Sequence, residues 1–310
     1  VRFGTAALRR LPPNVQGALW LVAGGFIFTT NGAMIRLLST EIEGVQTAFF
    51  RGFFSVILLL PMIASGRVKP WKSTHLQGHF WRTAMGTCSM VLGFYALAML
   101  PLADATALAF SQPLFSVVLA ALVLHEKVRW RRWTATLVGF AGVLVMVRPG
   151  SDSLQPGALV ALANAMSVAV SVLLVRRLSA TEAPLMILTQ FALWSTIFLL
   201  VPAIWFWRWP TPLGWVLAVG VSVSATFGQY FWVQAFASGE MSAVAPFDYL
   251  RLPFAVFVGW MIWGEMPVLW TYVGATIVIG SALYIAYREA VLARERRAAA
   301  RLTPPAASVP

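Results

Sequence analysis

An acid and a base stand three residues apart in Pro246-Phe247-Asp248-Tyr249-Leu250-Arg251-Leu252-Pro253, inside an apolar run from about Met241 to Trp263. Residues at that spacing share a helix face, so Asp248 and Arg251 can reach each other. A charge at mid-membrane costs roughly 2.5–3.5 kcal/mol on insertion scales, so an ionised side chain there faces a partner or a wet cavity. Two chemistries fit. One is a salt bridge that locks its own helix. The other is a polar spot on the path of a solute, with Asp248 open to competition from that solute or from a proton.

Other polar side chains fall in apolar stretches. Thr83, Thr87 and Met90 follow i, i+4, i+7 spacing, as do Ser222, Thr226 and Gln229. Asn164, Ser167 and Ser171 share another face, and Asn31 sits alone in an earlier stretch. Small polar residues in membrane helices often only hold helices together. As sets, the stripes read as walls of a cavity. Arg51 and Gln190 open two further stretches, and the long stem of Arg51 suits snorkelling to the outer interface. Glu126 and Glu265 end two apolar runs and read as structural, fixing the hairpins that follow.

Several chemistries lack their residues. No Gly-x-x-x-x-Gly-Lys-[Ser/Thr] loop is present to cradle a nucleotide, and no Gly-x-Ser-x-Gly elbow to carry a nucleophile. His75-Leu-Gln-Gly-His79 has zinc-helix spacing but no glutamate after its first histidine. No metal, cofactor or catalytic residue is expected. The single cysteine, Cys88, cannot form an internal disulfide.

The elements that must position these residues follow from composition. Of 310 residues, 59% are hydrophobic and only 11% charged. A soluble domain carries about 25% charged residues. The mean hydropathy of +0.76 belongs to an integral membrane protein with the lipid bilayer as its solvent. Apolar spans are expected near 17–38, 44–64, 80–99, 104–124, 133–148, 157–175, 184–206, 213–235, 242–263 and 267–287. Arg9-Arg10 precedes the first run in loose imitation of a twin-arginine signal, but that run is too long for a signal core and reads as a retained span. The net charge of +12 reflects topology rather than nucleic-acid binding. With both ends inside, inner segments hold 18 of the Lys and Arg residues and outer segments 3, namely Arg36, Arg148 and Arg208. That bias sets orientation and requires an even number of spans.

An internal repeat organises the spans. Gly17-Ala18-Leu19 returns as Gly157-Ala158-Leu159, and at the same offset Arg36 meets Arg176 and Leu38 meets Leu178. After a one-residue slip, Ala96 meets Ala235, Phe115 meets Phe254 and Glu126 meets Glu265. The two threonine-bearing stripes are then equivalent, Asn31 aligns with Ser171, and Arg51 with Gln190. Five spans per half is odd, so the second half is inverted, an arrangement typical of transporters with a site at mid-membrane. The expected fold is all-α, ten transmembrane helices in two inverted five-helix repeats. Segments 1–16 and 288–310 flank repeats at 17–148 and 149–287.

The chain resembles the EamA-type transporters of the drug/metabolite transporter superfamily over about residues 15–288. The resemblance rests on Phe50-Arg51, on Tyr95-Ala96-Leu97 followed by Pro101-Leu102-Ala103-Asp104-Ala105-Thr106-Ala107-Leu108, and on Glu126. It continues through Arg132-Trp133, Gly139-Phe140-Ala141-Gly142-Val143, the Asp248 and Arg251 segment, and Gly264-Glu265. It implies a bacterial inner-membrane protein with both ends cytoplasmic and a central cavity with alternating access. Implied substrates are amino acids and derivatives, S-adenosylmethionine, riboflavin or drugs. Protons are a candidate coupling ion and a homodimer a candidate assembly. A membrane-embedded enzyme and a non-transporting scaffold are the competing classes.

Overall fold

The computed structural model describes residues 12–66, 68–73, 75–123, 130–147, 156–178, 181–238 and 244–302. Among these the chain is helical, without a strand. The helices are α1 (Pro13–Leu38), α2 (Gly44–Ala64), α3 (Leu76–Met99), α4 (Leu102–Ala109), α5 (Gln112–Val123) and α6 (Trp130–Val147). Then come α7 (Pro156–Leu178), α8 (Pro184–Trp205), α9 (Pro212–Ser238), α10 (Arg251–Trp263) and α11 (Leu269–Leu302). A 3-10 stretch, Ala245–Leu250, leads directly into α10. Counting α4 and α5 as one interrupted span gives ten helical rods.

Among the described residues, seven segments are long and apolar enough to cross a bilayer, including α1, α2 and the α4–α5 stretch Leu102–Val123. The others have visible reasons for falling short. His79 and Arg82 dilute the hydropathy of α3. The apolar part of α6 is Trp133–Val147. At 13 residues α10 is about 20 Å long, and the 3-10 stretch makes up the rest of the crossing. The last helix runs 34 residues, well beyond the bilayer core, so Arg288, Arg294, Arg296, Arg297 and Arg301 ride on a helical extension. That corrects the expected end of the helix near 287.

The packing is symmetric under exchange of the halves. α1 packs on α9, α3 on α7, α2 on α8, α4 on α10, and α6 on α11. Each pair joins one half to the other. Numbered as spans they are 1 with 8, 3 with 6, 2 with 7, 4 with 9, and 5 with 10. Swapping halves turns the first pair into the second and returns the other three to themselves, as a pseudo-twofold requires. Helix-bending prolines obey the same relation: Pro61 lies in the last turn of α2 and Pro202 in that of its counterpart α8.

Among the described residues, the two largest apolar clusters draw on both halves. One gathers Leu100, Leu108, Phe110, Leu114, Val143 and Val278, and the other Ile35, Leu38, Phe49, Phe50, Leu199 and Val221. Large apolar side chains such as Leu137, Val201, Leu213 and Val216 point outward, as hydrocarbon surroundings permit.

Candidate functional site

The site begins with two prolines. Pro113 and Pro253 each lack an amide donor, and each ring crowds the carbonyl four residues earlier. Those carbonyls belong to Ala109, the last residue of α4, and Tyr249, in the 3-10 stretch before α10. The spans expected to run unbroken over 104–124 and 242–263 are therefore interrupted at places one residue apart in the repeat. The interruptions also meet. The rings of Phe110 and Tyr249, equivalent under the repeat, touch edge to face at 4.9 Å. The pseudo-twofold passes between them.

Asp248 and Arg251 lie beside this crossing. The Asp248 carboxylate is one residue from the Tyr249 ring, and Arg251 opens α10. The pair is loose: Arg251 Nη1 is 3.9 Å from Asp248 Oδ2, beyond hydrogen-bonding distance, with both side chains about a third exposed (32% and 28%). Asp248 Oδ1 and Arg251 Nε are buried without a hydrogen-bond partner. Arg251 is held by α1 instead. Its Cγ lies where a Cβ on Gly25 would stand 2.9 Å away, so only glycine lets the helices approach. Its guanidinium lies 5.0 Å from the centre of the Phe28 ring, a cation–π contact.

The two polar stripes part company. Thr83, Thr87 and Met90 on α3 are buried, and the hydroxyls of both threonines lack hydrogen-bond partners. On α9, Ser222 is buried and donates to the carbonyl of Phe50 at 3.4 Å, whereas Thr226 and Gln229 are exposed. Thr226 donates only to the carbonyl of Ser222, one turn back. The stripes meet α2 at different points, Ser222 at Phe50 and Met90 at Arg51, and they do not form one wall. Arg51 does not snorkel: it turns inward, and its Nη1 donates to Met90 Sδ at 2.6 Å.

Two expected path residues make hydrogen bonds between elements, and a third packs against a neighbouring helix. Asn31 Nδ2 donates to the Val221 carbonyl at 2.7 Å and to Ser224 Oγ at 2.8 Å, joining α1 to α9. Gln190 donates to the Pro70 carbonyl at 2.7 Å, tying α8 to the 3-10 turn Pro70–Lys72. The Asn164 amide lies against Gly93 of α3. Glu126 lies outside the described residues. Glu265 braces the two halves rather than its own hairpin. Gly264 takes a left-handed conformation (φ 68°) that ends α10, and the Glu265 amide returns to the Gly259 carbonyl. The Glu265 carboxylate then takes Arg36 of α1 in a bidentate pair at 2.5 Å on both oxygens, and the Arg36 guanidinium lies 4.4 Å from the Trp263 ring centre.

Arg82 is a polar residue that the spacing of the stripes did not single out, since a basic residue near a helix start ordinarily sets topology. It stands within α3, one residue before Thr83, with its guanidinium 3.9 Å from the centre of the Phe191 ring. Its adjacency to the threonine stripe was the available signal. Among the described residues, no group of three or more His, Cys, Asp or Glu side chains is placed to hold a metal ion.

A model of the EamA-like transporter family matches residues 15–148 and again 155–287. The chain is 30% identical to an S-adenosylmethionine uptake transporter of Rickettsia prowazekii, over 90% of this chain and 95% of that protein. It is 28% identical to a riboflavin transporter of Vibrio cholerae, over 91% and 97%. It is 29% identical to a pseudopaline exporter of Pseudomonas aeruginosa, over 85% and 93%. A solved crystal structure that is 19% identical superposes with a TM-score of 0.59, over 91% of this chain and 98% of its own.

Proposed function

Because the chain belongs to the EamA-like transporter family, we propose that it is a secondary transporter moving small organic metabolites across a bacterial inner membrane by alternating access. The meeting of two interrupted spans at the pseudo-twofold carries this reading. Interrupted helices free backbone groups at mid-membrane, where inverted-repeat transporters place substrate and coupling ion. Asp248 and Arg251 supply charge at that place, and their loose contact leaves both open to competition from a solute or a proton. Amino acids or their derivatives, S-adenosylmethionine, riboflavin and drugs are the substrate classes. The uptake and riboflavin transporters among the relatives support S-adenosylmethionine and riboflavin. Alternating access is reversible, so the same geometry serves import and export.

Solute counterflow in proteoliposomes tests the proposal. Purified protein is reconstituted with one unlabelled solute inside, and the labelled solute is added outside. Transient accumulation above equilibrium is expected for at least one of a panel of amino acids, S-adenosylmethionine and riboflavin. An enzyme or a scaffold gives none.

Orientation has its own test. With both ends cytoplasmic, reporter fusions after Arg132 and Arg177 read inside, and fusions after Asp152 and Trp209 read outside. An outside signal at Arg177 contradicts the inverted arrangement.

A further inference from the structure

Two arginines are sunk in the contact between α2, α3 and α8 without a counter-charge. Arg51 bonds only to a thioether, a weak acceptor. Arg82 has Nε and Nη1 buried with no hydrogen-bond partner, and its guanidinium lies against the face of Phe191. The two groups flank Thr87 on α3: Arg82 lies five residues before it, and Met90, the partner of Arg51, three residues after it. Thr83 and Thr87, on the same helix as Arg82, add two buried hydroxyls without partners. Buried polar groups are ordinarily satisfied, and a buried charge without its partner is strongly unfavourable. Here several unused donors converge from two helices, and among the described residues no carboxylate meets either guanidinium. Both arginines are half-buried, and the unpaired nitrogens of Arg82 and the two hydroxyls are closed off, so a solute meets them when α2, α3 and α8 part.

We propose that Arg51, Arg82, Thr83 and Thr87 bind the carboxylate of an organic solute, such as the carboxylate end of an amino acid. The inference rests on the transporter reading and names the chemistry its substrate must carry. A carboxylate is planar and acceptor-only, and it matches the guanidinium fork with lone pairs left over for the hydroxyls. Phe191 backs the Arg82 guanidinium plane and keeps it from folding away.

The test is the unfolding temperature of the purified full-length protein with free amino acids, the same amino acids as carboxamides, and inorganic phosphate. At least one amino acid is expected to raise the unfolding temperature while its carboxamide does not. Arg51→Gln and Arg82→Gln should each weaken that amino acid at least tenfold, and Thr87→Val several-fold. Without solute, Arg82→Gln should unfold at the parent's temperature or above, because it removes one of two like charges. A large drop there would make the arginines packing elements and overturn the assignment. So would equal stabilisation by acid and carboxamide, stabilisation by phosphate alone, or no stabilisation by any probe. Counterflow separates this inference from the reading beneath it. Binding in the expected pattern without counterflow faults transport and keeps the site. Counterflow unchanged in Arg51→Gln and Arg82→Gln faults the site and keeps transport.

Discussion

Asp248→Asn is expected to fold as the parent does and to lose at least nine-tenths of its flux. At 3.9 Å, with both side chains about a third exposed, the contact with Arg251 is too long for a hydrogen bond. Ion pairs this open contribute about 1 kcal/mol or less. Removing the charge therefore changes little in the folded state, and asparagine keeps the shape. A functional carboxylate at the crossing of the interrupted spans is another matter, because asparagine neither holds a proton nor offers a charge. Flux and thermal stability measured on the same purified variant decide the point. Native-like flux with native stability would reduce Asp248 to a spectator.

Arg251 does not permit the same test. Its stem lies against Gly25 and its guanidinium against Phe28, so truncation removes packing as well as charge. For the same reason, exchanging the two residues does not restore the parent, since an aspartate at 251 leaves the α1 contact unfilled.

Much of this architecture was legible in the sequence. Span positions followed from hydropathy, and the repeat from weak identities such as Gly17-Ala18-Leu19 with Gly157-Ala158-Leu159. The interruptions of the fourth and ninth spans were not foreseen, although Pro113 and Pro253 stand within one residue of equivalence under the repeat. Hydropathy is blind to a missing amide, and the prolines had to be compared across the halves to be seen. The fate of single polar residues was not legible either. Asn31 and Gln190 are as polar as any path residue, and the carbonyls opposite them, at Val221 and Pro70, are tertiary partners that no local pattern announces. Arg82 was hidden by its place near a helix start, where a basic residue usually records topology. Its missing partner is a tertiary fact.

The Arg36–Glu265 pair supports the second large effect. It joins the end of α1 to the residue after α10, across the two halves. On the expected orientation it lies at the outer end of the protein, together with Glu41 on Thr211 and Gln46 on the backbone of Arg208. A transporter that opens to both sides must part these halves at that end once per cycle. Hydrogen bonds to charged groups contribute roughly 1.5–3 kcal/mol each, a strength that thermal fluctuation can still break. A permanent bond there should stop the cycle.

Cross-linking residues 36 and 265 therefore tests alternating access most directly. In a Cys88→Ser background, Arg36→Cys and Glu265→Cys are combined and bridged with a short reducible bis-thiosulfonate reagent. Each single-cysteine variant serves as the control. Counterflow should fall to the level of empty liposomes on bridging and return on reduction, while the single-cysteine variants are unaffected by the reagent. Undiminished counterflow in the fully bridged protein would contradict the account.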